Sequence, residues 1–191
     1  MSIRFYLACV LTGLLVAGGV NAGDKNVDER QDQKEIRQDK KALVSTRVTV
    51  KELSHAINLW HDANLKGDRA KIRKYEDKLY NIMRDDMAST ATVVKRYETE
   101  ASQSAREFKR GDRNWSERTD DHGDLRVDRQ DLQKTRGILM TKQRLAASFV
   151  KSPAFSSKYR LLGDYVDILR QEQGMTRVEL AEDVSEFRED R

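Results

Sequence analysis

The densest gathering of potentially reactive side chains is Asp120-Asp121-His122-Gly123-Asp124, with three carboxylates and an imidazole in five residues. Hard oxygen donors beside one histidine suit a divalent cation, so Asp120, Asp121, His122 and Asp124 are the candidate metal ligands. The spacing lacks the full ligand series of a calcium loop, and the same residue types are what a loop needs to break one helix and cap the next. His55 and His61 stand six apart, which separates them around a helix, whereas spacing of four or seven would put them on one face. Met83 and Met87, four apart, have the spacing of soft copper ligands and equally that of adaptable packing residues at a helix interface. Tyr75, Tyr80 and Tyr97 together with these methionines could line an apolar surface for an unfolded or partner chain.

Nucleophilic and phosphate chemistry finds less to work with. The sequence has no Gly-x-Ser-x-Gly elbow and no glycine loop of the kind that cradles phosphate, and its one cysteine is Cys9. Carboxylate pairs abound, but acid-base work needs two carboxyls of differing pKa in a concave, partly dry pocket, which thin helical hairpins rarely supply. The expectation is a protein that is not an enzyme and carries no cofactor.

Residues 1–22 set the expected address. A short basic start at Arg4, an apolar run through Val20 and a small-residue exit at Ala22 before polar Gly23-Asp24 have the plan of a secretory signal peptide, cleaved after Ala22. The run is shorter than the roughly 20 apolar residues that span a bilayer, and no later stretch approaches it. The expected product is periplasmic or secreted, without a transmembrane segment or a disulfide. Of the 191 residues, 36 are Lys or Arg and 32 Asp or Glu, giving a formal net charge of +4. That excess is small and interleaved with acids, so nucleic acid is not the expected partner despite a pI near 9.1. A protein partner or self-association is.

The elements that would position these residues read as long helices. Ile36, Leu43, Val50 and Ile57 recur every seven residues, joined by Leu53 and Trp60, and form one narrow stripe on an otherwise charged helix. Gly67 suits a left-handed helix stop and Asp68 an N-cap, so a tight turn leads into a second helix through Ile72, Tyr75, Leu79, Ile82 and Met83. Leu125, Leu132, Leu139 and Ala146 repeat the sevenfold stripe 96 residues later, and Ser152-Pro153 opens a helix through Tyr159, Leu162, Tyr165, Ile168 and Leu169. Gly174 reads as its end, and Thr176 with Glu179 as the capping box of a short fifth helix. The fold class predicted is all-α: long antiparallel hairpins with coiled-coil-like packing, related by duplication. The division is residues 1–22 signal peptide, 23–110 N-terminal hairpin, 111–123 linker, and 124–191 C-terminal hairpin with a terminal helix.

In class and composition such a chain resembles the small helical stress chaperones of the periplasm. The Leu-Thr-x-x-Gln motif of that family is approached by Met175-Thr176-Arg177-Val178-Glu179, which differs at its first and last positions, so no residue role carries over. The functional expectation is a scaffold, spacer or chaperone-like binder, with a metal-responsive or metal-buffering protein as the alternative.

Overall fold

The computed structural model describes residues 22–110 and 115–189. Four helices account for them: α1 (Ala22–Leu65), α2 (Arg69–Arg110), α3 (Trp115–Lys151) and α4 (Phe155–Glu189). At about 1.5 Å per residue, α1 with its 44 residues is roughly 66 Å long. So long and charged a helix is marginal alone and depends on its neighbours. Each helix has two: α1 packs on α2 and α4, and α3 packs on α2 and α4. No helix among the described residues is long and apolar enough to cross a membrane.

The turn from α1 to α2 shows how local chemistry makes a hairpin. Gly67 takes φ 64°, the left-handed region where a Cβ is penalised. The Asp68 amide then bonds back to the Ala63 carbonyl at 3.0 Å and the Gly67 amide to Asn64 at 3.1 Å, the paired bonds of a Schellman stop. Asp68 next caps α2, its carboxylate accepting the Lys71 amide at 3.1 Å. This carboxylate is held below its ordinary pKa, first by the hydrogen bond from the Lys71 side chain. The second turn differs in detail from expectation. The Ala154 carbonyl takes the first helical bond, from the Lys158 amide at 3.0 Å, so Pro153 precedes α4 instead of occupying its first turn.

One expected break is shorter than the sequence suggests, and another is absent. Helix α3 starts at Trp115, so residues 115–123, read as linker, are helical; only 111–114 of that stretch lie outside the described residues. Helix α4 runs through Gly174 without interruption, and among the described residues there is no separate fifth helix. Thr176 is no N-cap: its hydroxyl donates to the Glu172 carbonyl at 3.1 Å inside the helix. Both misreadings have one cause. Turn-forming residue types suggest breaks, but Gly123 and Gly174 lie on exposed helix surface, where a glycine costs about 1 kcal/mol and long helices tolerate it.

The apolar core draws on all four helices near the turns. Leu53, Ala56 and Trp60 of α1 meet Leu79 and Met83 of α2, Leu145 and Phe149 of α3, and Leu162 and Leu169 of α4. The predicted stripes largely hold, with Ile36, Leu43 and Leu125 buried. Leu132 and Leu139 are half-buried, and Ile138 takes the deeper place beside Leu139.

Candidate functional site

The inward positions of the helices do not stay apolar along the bundle. On α2 they pass from Leu79 and Met83 to Asp86 and Thr90, and on α3 from Phe149 back to Lys142 and Thr135, all buried. On α4 they run from Leu169 to Glu172, Thr176 and Glu179 at alternating steps of three and four, the spacing that keeps a side chain on one helix face. A buried polar layer results.

Its centre is Lys142, whose side chain is 0% exposed. An ammonium group has three protons to place. They meet Glu172 Oε2 at 2.6 Å, Asp86 Oδ2 at 2.8 Å and Thr90 Oγ1 at 2.8 Å. The Thr90 hydroxyl in turn donates to Glu172 Oε1 at 3.0 Å. The Tyr165 hydroxyl donates to Asp86 Oδ2 at 2.8 Å and lies 3.1 Å from the Met83 carbonyl. Burial, reinforced by the Asp86 charge, pushes the Tyr165 phenol well above its usual range and keeps it a donor. Three helices thus meet at one cation and two carboxylates, with nearly every proton assigned.

A second polar group lies farther from the turns. Arg96 Nη1 reaches Asp39 Oδ1 at 3.0 Å, joining α2 to α1, and its Nε stands 3.6 Å from Glu100. Beside it, the Tyr97 hydroxyl hydrogen-bonds to Glu179 of α4. Burial is the main cause that pushes the Glu179 carboxyl up to about 7; the charges of Asp39 and Asp131 push the same way, while the Tyr97 hydrogen bond and Arg96 oppose them. Between the two groups is a cavity of about 50 Å³ bordered by Asp39, Thr46, Thr90, Thr135, Thr176 and Glu179. At about 10–15 Å³ per water centre it has room for a few waters, and none for an organic substrate.

The residues singled out from sequence fare differently. His122 is exposed and its ring lies 5.8 Å from that of Phe108. Asp120, Asp121 and Asp124 belong to the helical stretch of α3, but their side chains are outside the described residues. Among the described residues, no group of three or more His, Cys, Asp or Glu is placed to hold a metal ion. His55 is exposed, whereas His61 sits 5.8 Å from the Phe155 ring and 5.6 Å from Tyr159. Met83 and Met87 pack into or against the apolar core. The three tyrosines do not share a surface, because Tyr97 is buried, Tyr75 half-buried and Tyr80 exposed.

Sequence alone does not single out Lys142, Asp86, Glu172 and Glu179, because a charge in a helical repeat ordinarily marks an outer face. A signal was nonetheless present: Thr135, Lys142 and Phe149 are seven apart, so the stripe that includes buried Phe149 continues through a lysine. At the turn end the aromatic residues gather, with Trp60 and Phe155 centroids 4.8 Å apart and Phe155 and Tyr159 6.0 Å apart. The buried Trp60 Nε1 has no acceptor among the described residues. No protein-family model, curated protein or solved structure matches this chain.

Proposed function

We propose that the chain is an exported, non-enzymatic helical protein, released to the periplasm or outside the cell after cleavage behind Ala22, which acts through its surface as a scaffold, spacer or chaperone-like binder. In this reading the helices pack in coiled-coil fashion, the two hairpins are related copies, and the partner is another protein or a second copy of the chain. The observation that carries it is the closure of the polar layer. Lys142, Asp86, Glu172, Thr90 and Tyr165 are the groups best placed for chemistry, and they are committed to one another at 2.6–3.0 Å deep in the bundle. Meanwhile large apolar residues face outward, among them Leu65 at 73% and Met140 at 69% exposed. Contacts are therefore available at the surface, while this buried cluster is withdrawn from it.

The test is photo-crosslinking in the producing cell from Val44, Leu65, Met140 and Tyr159, combined with fractionation and N-terminal sequencing. Adducts from at least one position on a chain beginning at Gly23 support the reading. A chain retained in the cytoplasm, or one giving no adduct from any of the four, overturns it.

A further inference from the structure

We infer that the turn end of the bundle docks on an anionic lipid surface, with Leu65 and the Phe155 and Tyr159 rings entering the headgroup boundary while the surrounding lysines and arginines pair with lipid phosphates. The inference rests on the surface-acting, exported reading above and gives that surface a partner.

Charge is the first ground. Residues 62–74 and 148–160, which flank the two turns, hold eight Lys or Arg against two carboxylates. The whole chain has a net charge of only +4, so the remainder of the sequence is slightly acidic and the excess positive charge is concentrated at one end. Ion pairs involve only some of these cations, Lys71 with Asp68 at 2.9 Å and Lys158 with Glu76, just outside those ranges, at 2.8 Å. Lys66, Arg69, Arg73, Lys74, Lys151 and Arg160 are exposed. Basic residues held near an anionic bilayer are attracted to it over about a Debye length, roughly 8–10 Å at moderate salt.

Apolar exposure at the same place is the second. Leu65 is 73% exposed, Val150 58%, Tyr159 48% and Phe155 37%, and all lie within a few residues of the turns. Contacts across the helices show that the two turns form one end: Trp60 and His61 of α1 lie against Phe155 and Tyr159 of α4, and Lys158 of α4 reaches Glu76 of α2. Apolar and aromatic side chains ringed by cations are the composition of a bilayer interface anchor, in which rings sit at headgroup depth and lysine stems extend to the phosphates. These residues gather on the two turns at one end of the bundle, and a fluid surface moulds around such a group without needing a matching groove. A nucleic acid would use the cations and leave Leu65 and Val150 without contacts.

The experiment is flotation of the purified chain with vesicles of phosphatidylcholine alone or containing phosphatidylglycerol, both for the full chain and for the form beginning at Gly23. We expect binding at least about tenfold tighter to the anionic vesicles, falling by a similar factor when salt is raised about fivefold. Leu65→Asp with Lys151→Glu should weaken it about tenfold, while Val44→Asp with Lys41→Glu, which makes an equal charge change on the flank of α1, leaves it within about twofold. Melting curves of the two double variants should match, since all four side chains are exposed. In the Trp115→Phe chain, brominated lipid should quench the fluorescence of Trp60. Binding that survives the tip variants, or responds equally to the flank variants, overturns the inference, as does absence of quenching. Tip variants that lose binding to an acidic polypeptide or to DNA as strongly as to vesicles would assign the end to simple charge attraction and also overturn it. Protein crosslinks from Tyr159 without vesicle binding would refute the lipid assignment and leave the surface-acting reading intact.

Discussion

The half of the bundle near the turns and the half beyond Met83 share one helical spacing but differ in material. Near the turns the inward positions are Trp60, Leu53, Leu79, Phe149, Leu162 and Leu169; beyond, Asp39, Thr90, Thr135, Lys142, Glu172 and Glu179 are interspersed among buried apolar residues such as Ile36, Leu43, Val94 and Ile138. The first set removes apolar area from water, and each fully buried large side chain contributes about 1.5–3 kcal/mol. The second gains little net energy, because desolvating charges offsets most of their attraction. What it can add is register. An apolar stripe tolerates sliding by a heptad, whereas Lys142 reaches Asp86, Glu172 and Thr90 together in one alignment of three helices. The shift of 86 residues that puts Met83 on Leu169 also puts Asp86 on Glu172 and Thr90 on Thr176. Each threonine hydroxyl lies within 3.2 Å of the carbonyl four residues back, so corresponding positions of α2 and α4 have similar surroundings.

The largest effects should come from breaking each half at its centre. Trp60→Ala should cost about 3–5 kcal/mol through the cavity it leaves. Lys142→Met should cost a comparable ~3–5 kcal/mol, for a different reason: Asp86 and Glu172 would remain buried without their cation. The comparison is sharpened by the triple variant Lys142→Met, Asp86→Leu, Glu172→Leu. It should recover most of the loss in chemical denaturation while populating more than one helix alignment by crosslinking, if the polar layer sets register. A triple variant as unstable as Lys142→Met would show that the layer contributes energy directly.

A pH scan probes the polar half next. Glu179 has a folded pKa raised to about 7, so the folded chain holds this proton more tightly than the unfolded chain, whose value is near 4.5. Its stabilising protonation is fully expressed below about 4.5 and lost as pH rises to about 7. The loss should be on the order of 2–3 kcal/mol. The charges facing it are Asp39 from α1, Arg96 from α2 and Asp131 from α3, the last paired with Lys134 at 2.6 Å. Glu179→Gln should flatten the stability profile between pH 4.5 and 7 and leave the variant more stable at pH 8. An unchanged slope would assign the titration elsewhere.

Smaller again is the contrast between two leucines that look equivalent in sequence. Leu43→Asp places a carboxylate where the native side chain is 8% exposed and should cost several kcal/mol, about 3 by the usual desolvation of a buried polar group. Leu139 is half-buried, and Leu139→Asp should cost about 1 kcal/mol, with Lys41→Ala and Gln133→Ala near zero. Thermal melts of the four variants rank them; equal losses at the two leucines would mean that α3 is rotated to bury Leu139.

That contrast marks how far the sequence could be read. The helical class, the turn at Gly67, the stripe from Ile36 to Trp60 and the pairing of α1 with α2 follow from period and capping chemistry, since apolar residues at steps of three and four leave few alternatives. The closure of both hairpins around one core was not legible, because the stripes state that a helix needs a partner without saying how many. The polar layer was hidden for a physical reason: burial of Lys142 depends on carboxylates 56 residues before it and 30 after it, which no local window contains. Residues 120–124 show the reverse, turn-forming residue types that lie within the helical backbone of α3.

The smallest effects expected are at two glycines, one in each half, and they differ in sign. Gly67 closes the turn with φ 64°, and no atom lies within 4 Å of where a Cβ would stand, so any cost of Gly67→Ala is conformational, about 1 kcal/mol. Gly174 is inside α4, three residues before Arg177 on exposed surface, with equally open space around the Cβ position. There alanine has only helix propensity to add, and Gly174→Ala should stabilise by about 0.5–1 kcal/mol. The pair separates a glycine needed for its backbone angle from one that merely looked like a stop. In urea melts the midpoint should fall for the first and rise for the second. A fall for both would show that α4 bends at Gly174 in solution, dividing the C-terminal segment from the polar layer that Glu172 and Glu179 otherwise share.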